Sequence, residues 1–212
     1  MSDRIQSQQE EIANAITHGL GFLLALTLMP LLIAKATVTD NFQMTIASAV
    51  FSFGFMMLYL CSTLYHVVQH PQVKKQFRIL DHISIFFLIG GTYTPIILKY
   101  TSSTTAIIFL SCMWGIIIMG CLLKLFFTGK YDSLSTAIYL MLGWMIIFVI
   151  QPIRANMPFE VFTWILAGGL SYTLGVIFYR WHTLKFHHSI WHLFVLAGTV
   201  CHFVGVYNCV GK

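Results

Sequence analysis

His66, Asp81, His188 and His192 lie far apart in the chain, yet together they are residue types that do metal chemistry. Three neutral imidazoles can hold a zinc ion and leave its fourth tetrahedral position open, and a water bound there has its pKa lowered to about 7. A carboxylate nearby, here Asp81, can take a proton from that water as general base. A hydroxyl such as Ser62 can help stabilise an oxyanion on an attacked carbonyl. The chemistry is hydrolysis, with Ser62 as a hydrogen-bond donor just outside the ligands. His188 and His192, at i and i+4, share one helical face about one turn apart. HxxxH alone is a weak motif, and the metalloprotease pattern HExxH is absent because Ser189 follows His188. Ser62 and His66 are also at i and i+4, which admits a rival arrangement in which His66 activates a nucleophilic Ser62. A single histidine near the end of an apolar segment is more often an interfacial or hydrogen-bonded residue than a ligand. The residues alone therefore leave the ligand reading open.

What must position these groups is a set of membrane helices. Of all residues 58% are hydrophobic and 9% are charged, against roughly 45–50% and about 25% in soluble domains. The chain is read as an all-α integral membrane protein. Stretches free of Asp, Glu, Lys and Arg cover 12–34, 41–73, 82–98, 100–123, 133–153, 161–179 and 186–211. Each can hold the ~20 residues a spanning helix needs. We place the spans at about 14–34, 42–67, 81–99, 104–124, 133–151, 160–180 and 187–208, within one membrane domain covering 1–212. The loops are too short for a separate soluble domain. The first apolar stretch lacks the short core and small-residue cleavage site of a signal peptide, so it is expected to be retained.

Positive residues in short loops stay cytoplasmic. With seven spans, Arg4, Lys74, Lys75, Arg78, Lys124, Lys130, Arg180 and Lys185 share one side, and Lys35, Lys99, Arg154 and Lys212 the other. Eight against four puts the N-terminus in the cytoplasm and the C-terminus outside. The net charge of +5 is then a topology signal, and no nucleic-acid partner is implied. Threaded this way, span two ends just after His66, span three starts at Asp81, and span seven starts near His187. His66, Asp81, His188 and His192 all fall in the inner third of the bilayer. Ionisable groups at that depth are costly and usually mark a functional site.

The local patterns resemble a known family. Ser62-Thr-Leu-Tyr-His66, Leu80-Asp81-His82 and His188-Ser-Ile-Trp-His192 resemble the SxxxH, LD and HxxxH signatures of the haemolysin III family, the bacterial branch of the progestin and adipoQ receptor superfamily. Ile12-Ala-Asn-Ala-Ile-Thr-His18-Gly-Leu-Gly, Gly90-Gly-Thr-Tyr-Thr-Pro95 and Tyr172-Thr-Leu-Gly-Val-Ile-Phe-Tyr179 add further matches, so the resemblance covers almost the whole chain. It implies a seven-helix bundle with a cytoplasmic N-terminus, in the plasma (inner) membrane of a bacterium. It also implies a zinc ion held by His66, His188 and His192, with Asp81 reaching the metal through a water and Ser62 close to that water.

The remaining polar and small residues are read as architecture. His18 has a supporting or packing role, His82 projects about 100° away from Asp81, and His202 lies roughly 15 Å beyond His192 by helical rise. His70, His182 and His187 are loop or interface residues. The cysteines, Cys61, Cys112, Cys121, Cys201 and Cys209, are odd in number and without CxxC spacing, so no disulfide framework is expected. Gly90, Gly91, Pro95, Gly168, Gly169 and Gly175 are expected to allow close helix approach or a kink. Three functions fit: a zinc-dependent hydrolase of a lipid amide or ester bond, a non-enzymatic regulator or sensor of membrane state in which zinc locks helices together, and a cytolysin causing haemolysis. The cytolysin reading is the hardest to derive, since a pore former usually switches from a soluble to an inserted form and this composition offers no soluble form.

Overall fold

The computed structural model of the chain describes residues 6–211. Arg4 and Lys212, counted above for orientation, lie outside them. Seven helical spans long and apolar enough to cross a membrane occur among the described residues, which contain no strand. The chain is an all-α multi-pass membrane protein.

Short polar residues start several of the helices. Before α1 (Gln8–Thr37), Ser7 and Glu10 form a reciprocal capping box: the Ser7 hydroxyl accepts from the Glu10 N–H at 3.4 Å and the Glu10 carboxylate accepts from the Ser7 N–H at 2.9 Å. Asn41 Oδ1 accepts from the Met44 N–H at 3.1 Å and starts α2 (Phe42–Val67). Ser102 does the same for α4 (Ser103–Phe127) through the Thr105 N–H.

Between them α3 (Pro71–Tyr100) begins with a proline in its first turn, where the missing N–H costs nothing. This helix starts about ten residues before the expected Asp81. The reason is that hydropathy marks where lipid begins, whereas a helix can carry charges such as Lys74, Lys75 and Arg78 beyond that level. Asp81 consequently lies about 15 Å along α3 from its first residue, with the charged turns ahead of it.

The fifth span is broken. α5 (Asp132–Gly143) stops at Trp144, a 3-10 segment runs Met145–Val149, and α6 (Ile150–Asn156) completes the crossing. Backbone groups freed at such a depth need partners. Tyr93 of α3 supplies two, donating to the Gly143 carbonyl at 2.6 Å and accepting from the Ile146 N–H at 2.9 Å. The Trp144 indole donates to Thr173 at 3.1 Å, tying the break to α7 (Phe159–Arg180). After a short connection, α8 (His187–Val210) closes the bundle, entered through Phe186 in the left-handed region at φ 59°.

α1 packs on α2 and α8, α3 on α2 and α4, and α7 on α8. Glycines let α2 and α3 approach closely: a Cβ at Gly54 would meet the Phe87 carbonyl, and one at Gly91 would meet the backbone of Phe51. The outer surface is apolar, with Ile107, Ile118, Phe126 and Phe148 all exposed, whereas Asn14, His18, Ser62, His66, His192 and Thr199 are buried. That inversion suits a chain surrounded by lipid. Because the spans alternate in direction, the start of α1, the end of α2 and the starts of α3 and α8 gather at one end of the bundle.

Candidate metal centre

At that end the last turn of α2 carries His66, and the first two turns of α8 carry His188 and His192. His66 is 3% exposed and His192 fully buried. Ring centroids are 5.3 Å apart for His66 and His188, 5.2 Å for His66 and His192, and 4.6 Å for His188 and His192. One ring nitrogen from each lies within 4.8 Å of the other two. The Nε2 atoms of all three are buried without a hydrogen-bond partner.

The other ring nitrogens explain which tautomer is present. His66 Nδ1 is 2.8 Å from Glu11 Oε2, and His192 Nδ1 is 3.1 Å from Thr17 Oγ1 and 3.3 Å from the Asn14 carbonyl. An ionised carboxylate and a carbonyl only accept, so each Nδ1 carries the proton and each Nε2 is left with a lone pair. Burying unpartnered polar atoms is expensive. Two inward lone pairs, with the unpartnered Nε2 of His188 beside them, fit a cation that takes nitrogen ligands, and three neutral imidazoles are a zinc donor set.

Asp81, half-buried on α3, stands near enough to Ser62 and His66 to interact with both, without a well-formed hydrogen bond to the Ser62 hydroxyl. Ser62 is 1% exposed and its Oγ has no partner. The structure thus brings the five residues singled out above to one locality: three imidazoles, with a carboxylate and a hydroxyl beside them.

The other histidines separate. His18 is buried, stacks on His192 and leaves both ring nitrogens unpartnered. His82 faces the Lys124 and Asp132 side of α3. His187, read above as a loop or interface residue, is buried and its Nδ1 donates to the Phe178 carbonyl at 3.1 Å, binding the end of α7 to the start of α8. His202 Nε2 donates to the Ile165 carbonyl at 3.1 Å, far along α8. Glu11, Asn14 and Thr17 were not singled out as site residues, although they contact two of the three imidazoles. A signal existed: Glu11, Asn14 and His18 recur at i, i+3 and i+7 in a largely apolar helix, which puts them on one face.

A cavity of about 450 Å³ opens beside the imidazoles. Its lining passes from Asp81, His66 and His188 to Ile96, Phe162 and His202, between α3, the broken fifth span, α7 and α8. On α8 this range, residues 188 to 202, is about 21 Å of helical rise. One end is polar and the walls beyond it are mostly apolar, as in sites for small amphiphilic ligands.

Comparison with known proteins agrees with these features. A family model described as "Haemolysin-III related" matches residues 6–203. "Hemolysin-3" of Bacillus cereus is 41% identical over 203 residues, covering 96% of this chain and 93% of that protein. The "Hemolysin-3 homolog" of Bacillus subtilis (strain 168) is 38% identical over 203 residues, covering 95% of each. More distantly, the human "Monocyte to macrophage differentiation factor" is 24% identical over 208 residues, covering 94% of this chain and 84% of that protein.

Proposed function

Since this chain belongs to the haemolysin-III-related family, we propose that it is a zinc-dependent hydrolase of membrane-lipid amide or ester bonds, in the plasma membrane of a bacterium. His66, His188 and His192 hold the ion, and the end of the bundle that carries them faces the cytoplasm, as the eight-to-four distribution of Lys and Arg indicates. The observation that carries the reading is the set of three buried, unpartnered Nε2 atoms within one locality, beside Asp81 and at the polar end of an apolar cavity.

A zinc ion bound by three imidazoles supplies Lewis acidity, polarising a carbonyl oxygen and making water acidic near neutral pH. The chain does the rest. The cavity takes the acyl chain and excludes bulk water, leaving the scissile carbonyl at the polar end. Asp81 accepts the proton of the attacking water on a carboxylate oxygen and returns it to the departing amine or alcohol. Ser62, buried beside Asp81, donates to the carbonyl oxygen as negative charge grows there.

The test is elemental analysis of protein purified in detergent, followed by a screen of bacterial lipids for released fatty acid. The expected result is stoichiometric zinc and release from one lipid class. Stoichiometric zinc without release from any lipid class would favour the regulator reading, in which the ion locks α2 and α8 together. Absence of bound metal would overturn the metal reading. Because two relatives carry names referring to haemolysis, dye release from liposomes belongs in the same experiment. Leakage at low protein-to-lipid ratio, retained in metal-site variants, would support membrane disruption instead.

A further inference from the structure

α1 contributes none of the three imidazoles, yet it contacts two of them. We propose that Glu11 is the positioning residue of the metal centre: its carboxylate holds the His66 ring so that Nε2 points at the ion. The inference rests on the metal reading above.

The contact is 2.8 Å between Glu11 Oε2 and His66 Nδ1, joining residues 55 positions apart. The carboxylate is itself held from the other side: Lys74 Nζ of α3 lies 3.3 Å from Glu11 Oε1. The same ammonium sits 4.9 Å over the Tyr65 ring, next to His66 in sequence. Glu11 also lies in the first turn of α1, where the helix dipole favours a negative charge. α1, α2 and α3 therefore meet at this carboxylate.

A plain ion pair between Glu11 and a doubly protonated His66 is the alternative. It would leave an N–H on His66 Nε2, buried with no acceptor. A single proton on Nδ1 satisfies the carboxylate and leaves a lone pair toward His188 and His192. Carboxylates that orient metal-binding imidazoles in this way typically change metal affinity 10- to 100-fold. Glu11 differs from the partners of His192, which are a hydroxyl and a backbone carbonyl. It is a charged acceptor and can be replaced without touching the backbone.

The experiment measures zinc affinity by chelator competition, and the visible spectrum of cobalt-loaded protein, for wild type, Glu11→Ala and Glu11→Gln. Lys74→Met serves as a control that breaks the ion pair but keeps the carboxylate. Glu11→Ala is expected to weaken zinc about 10- to 100-fold and to alter the cobalt spectrum. Glu11→Gln, which can still accept from Nδ1, is expected to recover part of the loss, and Lys74→Met to stay within about threefold of wild type. If Glu11→Ala does not fold, Glu11→Gln carries the test through its smaller loss of affinity and altered spectrum. Wild-type affinity and spectrum in the folded Glu11 variants, with zinc in the parent, would overturn this inference alone. A parent that binds no zinc would overturn the metal reading and this inference with it.

Discussion

His18 lies face to face on His192, with ring centroids 3.5 Å apart and planes inclined by 15°. The stack joins α1 to α8 directly behind the imidazole cluster, and both nitrogens of His18 are buried without partners at the cavity wall. His18→Phe keeps a ring in the stack and removes two unpaired polar atoms. It should keep zinc and melt no lower than wild type, while lipid turnover falls because the cavity wall loses a polar side chain beside the imidazoles. Elemental analysis, thermal melting and turnover of the same preparations check this; loss of zinc in the variant would refute it.

Asp81 and His188 should separate catalysis from assembly. Asp81→Ala is expected to retain zinc and fold while losing turnover by at least about a hundredfold, the usual scale for a general base. His188→Ala should lose zinc and stability together, as removal of an ion ligand does. Equal zinc occupancy in wild type and His188→Ala would count decisively against the ligand assignment.

Removing the ion should mimic the second of these variants. Chelator-treated protein is expected to melt at a lower temperature, and added zinc should restore it. At a hundredfold excess of free metal over Kd the stabilisation is about 2.7 kcal/mol. Calorimetry in detergent measures it, and an unchanged melting temperature would speak against a cation at this position.

Tyr93→Phe tests the broken fifth span. The substitution removes both bonds that bridge Gly143 and Ile146, leaving a carbonyl and an N–H unpaired at depth, at about 1–3 kcal/mol for each buried group. The melting temperature should fall with zinc stoichiometry unchanged.

The glycines differ in the room around them. Gly54→Ala would drive a Cβ into the Phe87 carbonyl and force α2 from α3, whereas nothing lies within 4 Å of a Cβ at Gly169. Gly54→Ala is expected to cost about 1–3 kcal/mol, the range for overpacking. Gly169→Ala should melt like wild type. Thermal unfolding of the two proteins side by side decides the matter.

What the sequence determined by itself was one-dimensional. Apolar length specifies seven helical spans because unpaired backbone cannot face lipid, and the 3.6-residue period puts His188 and His192 on one face of α8. Alternating direction then carries His66 and Asp81 to the same end as that pair. These inferences need no knowledge of how helices are rotated. Tertiary structure alone decided which side chains meet across the bundle. Glu11 precedes the first charge-free stretch by one residue and reads as part of a polar tail, until packing sets it against His66, 55 positions away. Thr17 reaches His192 across 175 positions, for the same reason. The additional turns of α3 and the break at Trp144 were also invisible, because a hydropathy pattern reports where lipid lies and carries no information on how far a helix extends or where its backbone bonds are exchanged for a tyrosine.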